Sequence, residues 1–383
     1  MGFFSEYIKK NYTWEELEKE RKHQLRTISE IRGKREILTY ACAMTKRAPI
    51  AIDFNDRLPI LDQISNLKGD KIDIILETPG GSGEIAEDII RQVRGRFSEV
   101  GMIIPGHAKS AGTIMVMAGD EILMDSASAL GPIDAQVFQE GKNFSAHAFL
   151  EGLKKIKEEV EATGKLNRAY VPILQNISPG EIQSCINVMS FSEKLVTDWL
   201  AQYKFKFWEK HSSNGKQVTQ DEKTERAKEI AKTLCDHGKW LTHGRSITIQ
   251  DLREMRLKIT DFSENPHLYE AIRRYYTLLL MSFDRSPIFK IFETPQSQMY
   301  RSTGKPEKEG SGKALAVATI EVKCPNCNII SRVQANLEEG APLEPGATKF
   351  PKDNVLLCPA CKHKMNLEGM RKKIELDTGK KIL

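Results

Sequence analysis

Two groups of residues in this chain have types and spacing that can do chemistry. One is a serine between small residues, Ala108-Lys109-Ser110-Ala111-Gly112. The other is four cysteines in two C-x-x-C turns, Cys324-Pro-Asn-Cys327 and Cys358-Pro-Ala-Cys361. Small residues two before and two after a serine, between a strand (Met102 to Ile104) and an apolar helix (Thr113 to Ala118), let it sit on a tight elbow with its hydroxyl exposed. That suits a nucleophile; the competing reading is that Ser110 only caps the helix. Four thiolates in paired turns are the donor set of a closed tetrahedral zinc site with no open position for substrate. Cys324, Cys327, Cys358 and Cys361 are therefore expected to hold one structural zinc, which supplies much of the folding energy of a module too small for a large core. His363 is the alternative ligand beside them.

Upstream of the elbow, a buried strand (Ile72, Ile74, Ile75, Leu76) ends in Thr78-Pro79-Gly80-Gly81-Ser82-Gly83 and passes into an amphipathic helix. Consecutive glycines permit a sharp turn and leave amides bare, able to hold a phosphate or the oxyanion of acyl transfer. Neither a dinucleotide fingerprint nor a P-loop is present. Acyl transfer needs a nucleophile and two oxyanion donors from separate loops. Ser110, with the amides of Gly81 and Ala111, can supply them without a cofactor.

These residues must be positioned by an α/β framework. Short β-rich runs (APIAIDF, DKIDIILETP, VGMIIPG, DEILMDS) alternate with helical segments up to about residue 140, and helical patterns dominate 150 to 283. We expect a helical N-terminal arm over 1–44, a catalytic domain over 45–285, a Pro/Gly/Ser-rich linker over 286–315 and a zinc-ribbon domain over 316–383. The 383 residues carry a net charge of +5 with both signs mixed along the chain, which is no nucleic-acid footprint. Lys362, Lys364, Arg371, Lys372 and Lys373 near the ribbon permit nucleic-acid contact. No interleaved aromatics support it, so the ribbon reads as a recruitment module for a protein or nucleic-acid partner. No apolar run is long enough to span a membrane, the N-terminus turns charged early, and Glu6 breaks the myristoylation pattern. With Cys42, Cys185 and Cys235 scattered, a reducing, cytoplasmic location is expected.

The order strand–TPGG–helix, strand–A-x-S-x-G–helix, AGDEILMD, S-x-x-x-LGPID resembles the Clp-type and signal-peptide-peptidase-A-type serine peptidases of the ClpP/crotonase fold. It is most similar to the serine dehydrogenase proteinase family, strongly over about 45 to 140 and more faintly to about 262. The resemblance implies a repeated ββα core, a homo-oligomer and an extended polypeptide substrate bound by strand addition. Clp peptidases carry a histidine where this chain reads Gly131-Pro132-Ile133-Asp134, so their residue order is absent here. The resembling family's order Ser, Asp, His implies Asp134 as the orienting carboxylate and His243, in Trp240-Leu241-Thr242-His243, as the base. His107 and a lysine of the helix bearing Lys154, Lys155, Lys157 and Lys165 remain open as bases, whereas Lys109 is expected to face solvent or an acidic substrate group. Asp120 and Asp125 are expected in turn or surface contacts. The function implied is a serine endopeptidase. The alternatives are an acyl or thioester hydrolase on the same fold, or a catalytically silent scaffold whose ribbon recruits a partner.

Overall fold

The computed structural model describes residues 2–139, 142–211, 214–303, 316–378 and 380–383, and the chain divides into two compact units, Met1–Lys305 and Pro306–Leu383. The first unit begins with helices α1 (Phe3–Lys10) and α2 (Trp14–Ile31), strand β1 (Glu36–Cys42), α3 (Arg57–Ser65), β2 (Lys71–Glu77) and α4 (Gly83–Arg96). It continues through β3 (Glu99–Ile103), β4 (His107–Ala108), α5 (Ala111–Met117), β5 (Glu121–Met124), β6 (Ala129–Leu130) and the hairpin β7 (Gln136–Gln139) and β8 (Lys142–Ser145). Helices α6 (Ala146–Thr163), α7 (Val171–Gln175), α8 (Pro179–Trp199), α9 (Gln220–Cys235), α10 (His237–Trp240) and α11 (Ile249–Glu254) follow. Strand β9 (Thr260–Asp261), α12 (Pro266–Asp284), β10 (Ile288–Glu293) and β11 (Gln298–Ser302) complete it.

The main sheet has seven strands in the order β11-β10-β1-β2-β3-β5-β9, parallel from β1 to β9, with β10 and β11 antiparallel. Strands β1, β2, β3, β5 and β10 are buried on both faces because their alternate residues feed two separate cores, whereas the edge strands β9 and β11 are half-buried. Leu38, Tyr40 and Cys42 of β1, Ile72, Ile74 and Leu76 of β2 and Val100 and Met102 of β3 join the core that contains α3, α4, α5, α8 and α9. Ile37, Ala41, Ile75 and Ile103 face the opposite core, built with α2 and α12.

The structure draws two domain boundaries differently from the sequence expectation. Residues 1–44 are not an arm: β1 is an interior strand, and α2 is anchored by the fully buried Arg21. Its guanidinium donates to both Glu293 carboxylate oxygens at 3.1 Å and to Ser282 Oγ at 2.6 Å. Removing one partner of such a buried pair costs about 3–5 kcal/mol. Residues 288–302, expected in a linker, form the β10–β11 edge of the sheet. Lys290, which interrupts the apolar run of β10, is buried against Asp56 at 2.7 Å instead of reaching solvent. The remainder of that linker, 304–315, lies outside the described residues. Helices do dominate from residue 146 to residue 284.

The second unit holds an antiparallel pair, β12 (Val317–Lys323) and β13 (Ile330–Asn336), with β14 (Ala347–Lys349) beside β13. A second hairpin, β15 (Val355–Leu357) and β16 (Lys364–Asn366), is followed by α13 (Glu368–Thr378).

Candidate active site

The serine elbow and the glycine turn are joined through their backbones. Thr78 N donates to His107 O at 2.9 Å and Lys109 N to Thr78 O at 3.0 Å, so the end of β2 and the end of β4 advance together. The next residue, Ser110, is forced to φ 51°, ψ −116°, a conformation that costs a non-glycine residue about 1–3 kcal/mol. Helix α5, buried along its whole length, fixes the elbow from behind. Thr113 Oγ1 locks it from the side: it lies 2.8 Å from both Ala108 O and Gly131 O, which share its one hydrogen, and it accepts from Gly131 N at 3.0 Å. Ser110 stands at the N-cap position, yet its hydroxyl makes no capping hydrogen bond.

Gly80 is required where the turn meets the elbow. At φ 96°, a Cβ on it would lie 2.6 Å from Lys109 O and 2.7 Å from Ser110 Cβ. Gly81, at φ 150°, would place a Cβ 2.4 Å from the backbone of Ile52, which pairs with the turn: Ile52 N donates to Gly80 O at 2.8 Å and Ser82 N to Ile52 O at 3.0 Å. That pairing uses the groups on either side of Gly81 and leaves its own N–H unused. Among the described residues neither the Gly81 nor the Ala111 amide donates to a protein acceptor. Two bare donors from separate loops are what an oxyanion requires.

The segment bearing His243 is brought in by three anchors. Trp240 is buried and donates from Nε1 to Thr233 O at 2.7 Å; Leu130 and Ile247 exchange two backbone hydrogen bonds at 2.9 Å. The third anchor is Lys109, whose ammonium donates to Leu130 O (3.0 Å), Arg245 O (3.2 Å) and Ser246 Oγ (3.0 Å). Lys109 therefore straps the elbow to the histidine loop and does not face open solvent. Burial holds its ammonium below the usual lysine range.

His243 Nδ1 lies 3.7 Å from Asp134 Oδ2, close enough for charge attraction but longer than a hydrogen bond. Asp134 is nearly buried, accepting from Ser145 Oγ at 2.6 Å and Gln136 Nε2 at 2.7 Å. Burial alone would push its carboxyl up; His243, the Ser145 hydroxyl and the charge of His237 outweigh that and hold it below the usual range. Ser110, Gly81, Ala111, Asp134 and His243 all line one cleft of about 320 Å³, whose apolar flank is Ile114, Ile133, Val188 and Phe191.

The other candidate bases point elsewhere. His107, on β4, faces the buried Glu77 (Nδ1 to Oε1, 3.6 Å) and is not part of the cleft wall. Lys154 and Lys157 are exposed and pair with glutamates of their own helix. Asp125 makes the expected turn contact, accepting from Ala127 N at 2.9 Å, but is buried, and Asp120 is partly buried. Asp120 accepts from Arg94 and Val100 N, both at 2.7 Å, and Asp125 from Arg273 Nε at 2.9 Å. Sequence reasoning missed His237, whose Nδ1 stands 3.3 Å from Asp134 Oδ2, nearer than His243. The only signal for it was its place six residues before His243.

In the second unit the four cysteine sulfurs lie within 4.8 Å of one another, with Cys324 to Cys361 at 3.6 Å and Cys327 to Cys358 at 3.5 Å. Zn–S bonds of about 2.3 Å place tetrahedral sulfurs about 3.8 Å apart, so these thiols fit a zinc ion. The spacing is far too long for disulfides, and all four thiols are free. His363 contributes its carbonyl, which accepts from Cys358 N at 3.0 Å.

Comparison with known proteins agrees with this architecture. Residues 3–189 match the family of ClpP-like SDH-type serine proteinases, a segment that contains Gly81, Ser110, Ala111 and Asp134 but neither His243 nor the four clustered cysteines. The fold is thus the ClpP-like α/β fold, joined to a small cysteine-bearing module. Two uncharacterized proteins of Methanocaldococcus jannaschii are similar: one is 29% identical over 225 residues (58% of this chain, 65% of the relative), the other 28% over 204 residues (53% and 56%). The chain spans less than two thirds of either relative's length. Among solved structures, a mutant of the 1510-N membrane-bound stomatin-specific protease is 13% identical, covering 58% of this chain and 79% of that one, with a TM-score of 0.32. A mutant of ClpP1 from Listeria monocytogenes is 12% identical, covering 57% and 90%, with a TM-score of 0.28. No described helix of the chain is long and apolar enough to cross a membrane.

Proposed function

We propose that this chain, matching the ClpP-like SDH-type serine proteinases over residues 3–189, is a serine endopeptidase that works through an acyl-enzyme at Ser110. The observation that carries the reading is the convergence of Ser110, His243, Asp134, Gly81 and Ala111 on one cleft. In this reading His243 takes the Ser110 proton as Oγ attacks a peptide carbonyl. Asp134 holds the imidazole and offsets the charge it gains, and the two bare amides receive the oxyanion. His243 then returns the proton to the leaving amine, and water repeats the sequence to release the acyl group.

The cleft's apolar flank fits a polypeptide side chain, and the C-terminal thiols fit one structural zinc. The ribbon then serves to recruit a protein or nucleic-acid partner. Unpaired Cys42, Cys185 and Cys235 fit a reducing cytoplasm. Exposed Phe54, Leu58 and Leu61 leave an apolar stripe of the kind a second copy covers, which supports a homo-oligomer. The direct test is covalent labelling by a fluorophosphonate probe. The folded wild type is expected to label and Ser110→Ala is not; equal labelling, or none in either, removes the peptidase reading.

A further inference from the structure

Asp134 Oδ2 has three suitors. Gln136 Nε2 donates to it at 2.7 Å, His237 Nδ1 approaches to 3.3 Å and His243 Nδ1 to 3.7 Å. The other oxygen, Oδ1, is taken by Ser145 Oγ at 2.6 Å. The outcome is visible in the last of the three: His243 Nδ1 is shut away from solvent with no hydrogen-bond partner among the described residues. An imidazole meant to gain a proton on its far nitrogen needs this near nitrogen held by the carboxylate.

We propose that His237 is a positioning residue that shares Asp134 with His243, so that the two imidazoles compete for one carboxylate and His237 sets the pH at which His243 can act as base. The proposal rests on the peptidase reading for its catalytic consequence but not for the sharing itself. His237 acts through Asp134; its ring is not part of the cleft wall that carries Ser110.

The surroundings of His237 bear on its charge from every side. Asp134 faces it from the loop after β6. From α6, His147 stacks on its ring, centroids 5.6 Å apart at 30°. Asp236 precedes it at the N-cap of α10, its carboxylate engaged by Lys239 N at 3.1 Å. A second cavity of about 300 Å³ behind Asp134 is lined by His147, Glu193, Lys232, Cys235 and Asp236. Among the described residues, Asp134 is the one carboxylate within 4 Å of both His237 and His243. When His237 is charged or donates its Nδ1–H, it neutralises part of the field that would stabilise a charged His243. Removing His237 leaves His243 without a competing imidazole on Asp134, beside the uncharged Gln136 amide; His243 becomes harder to deprotonate and the onset of base action moves to higher pH.

The test compares wild type, His237→Phe and His237→Asn as full-length protein. Asn can put an uncharged donor where the imidazole Nδ1 stands. In the pH profile of fluorophosphonate labelling, the acid limb of His237→Phe is expected to move up by about half to one pH unit, with His237→Asn between it and wild type. A purely structural role would change amplitude and leave the limb in place. The histidine ring titrations, followed by NMR without substrate, provide an arm independent of activity: the His243 midpoint is expected to rise by the same amount in His237→Phe. Superimposed His243 titrations in wild type and both variants would overturn the proposal. A shifted His243 midpoint in a protein that never labels at Ser110 would sustain the sharing and remove the peptidase reading instead.

Discussion

Leu130 and Ile247 exchange both of their backbone hydrogen bonds at 2.9 Å, so the helical half of the first unit is tied to the loop that carries Asp134. Lys109, next to Ser110, completes the tie by donating to Leu130 O, Arg245 O and Ser246 Oγ. The nucleophile and its proposed base come from segments far apart in sequence, and these few bonds set their relative position.

Lys109→Met keeps the aliphatic stem and removes the ammonium that strapped the two segments. Losing orientation at a reacting centre can cost up to about a hundredfold in rate for a displacement near 1 Å. The labelling rate is expected to fall at least about tenfold while thermal unfolding shifts by only a few degrees. A melting temperature and a labelling time course on the same sample separate the two effects.

Gly80→Ala places a methyl 2.6 Å from Lys109 O at a positive φ. Overpacking and the backbone penalty together are expected to cost about 2–5 kcal/mol, read from urea unfolding. Because the displaced neighbour is the Ser110 elbow, labelling should fall in the fraction that remains folded.

Asp134 gives a pH signature whose sign follows from its depressed carboxyl. A carboxylate held below its unfolded value contributes stability that is complete above about pH 4 and is lost as pH falls through the folded value. Ser145→Ala removes one of the bonds that depress it, together with the N-cap of α6. The variant should be less stable than wild type at neutral pH, by about 1.5–3 kcal/mol for a bond to a charged group plus about 1 kcal/mol for the cap. Only the first part should vanish on acidification, so stability measured against pH should show the gap narrowing below about pH 4 without closing.

Cys324→Ser breaks the thiol set of the second unit. Binding of structural zinc contributes about 10–16 kcal/mol in small metal-dependent modules, so this unit should unfold in the variant and in chelator. Elemental analysis should give one zinc per wild-type chain and none in the variant. Ser110 labelling should change less than about twofold, since the cleft lies wholly in the first unit.

Much of this was legible in the residues themselves. The two glycines, the small residues around Ser110 and the paired C-x-x-C turns are local signals, because each is demanded by a backbone conformation or a donor set that few other residues satisfy. What was not legible depends on long-range pairing. The run Glu36–Cys42 follows a charged helix and reads as its continuation until β2 and β10 are seen on either side of it. Lys290 makes β10 look exposed, and only Asp56, distant in sequence, explains its burial. Lys109 looked free because its acceptors are backbone carbonyls and a serine from another segment. His237 was passed over because the family resemblance pointed to one histidine, while the fold brings two to the same carboxylate.

The most direct measurement is a crystal structure of the fluorophosphonate adduct. Phosphorus should be bonded to Ser110 Oγ, its oxygen should lie about 2.7–3.1 Å from both the Gly81 and Ala111 nitrogens, and the His243 ring should stand between that serine and Asp134. An adduct on another residue, or one on Ser110 whose oxygen turns away from both amides with His243 out of reach, would contradict the reading.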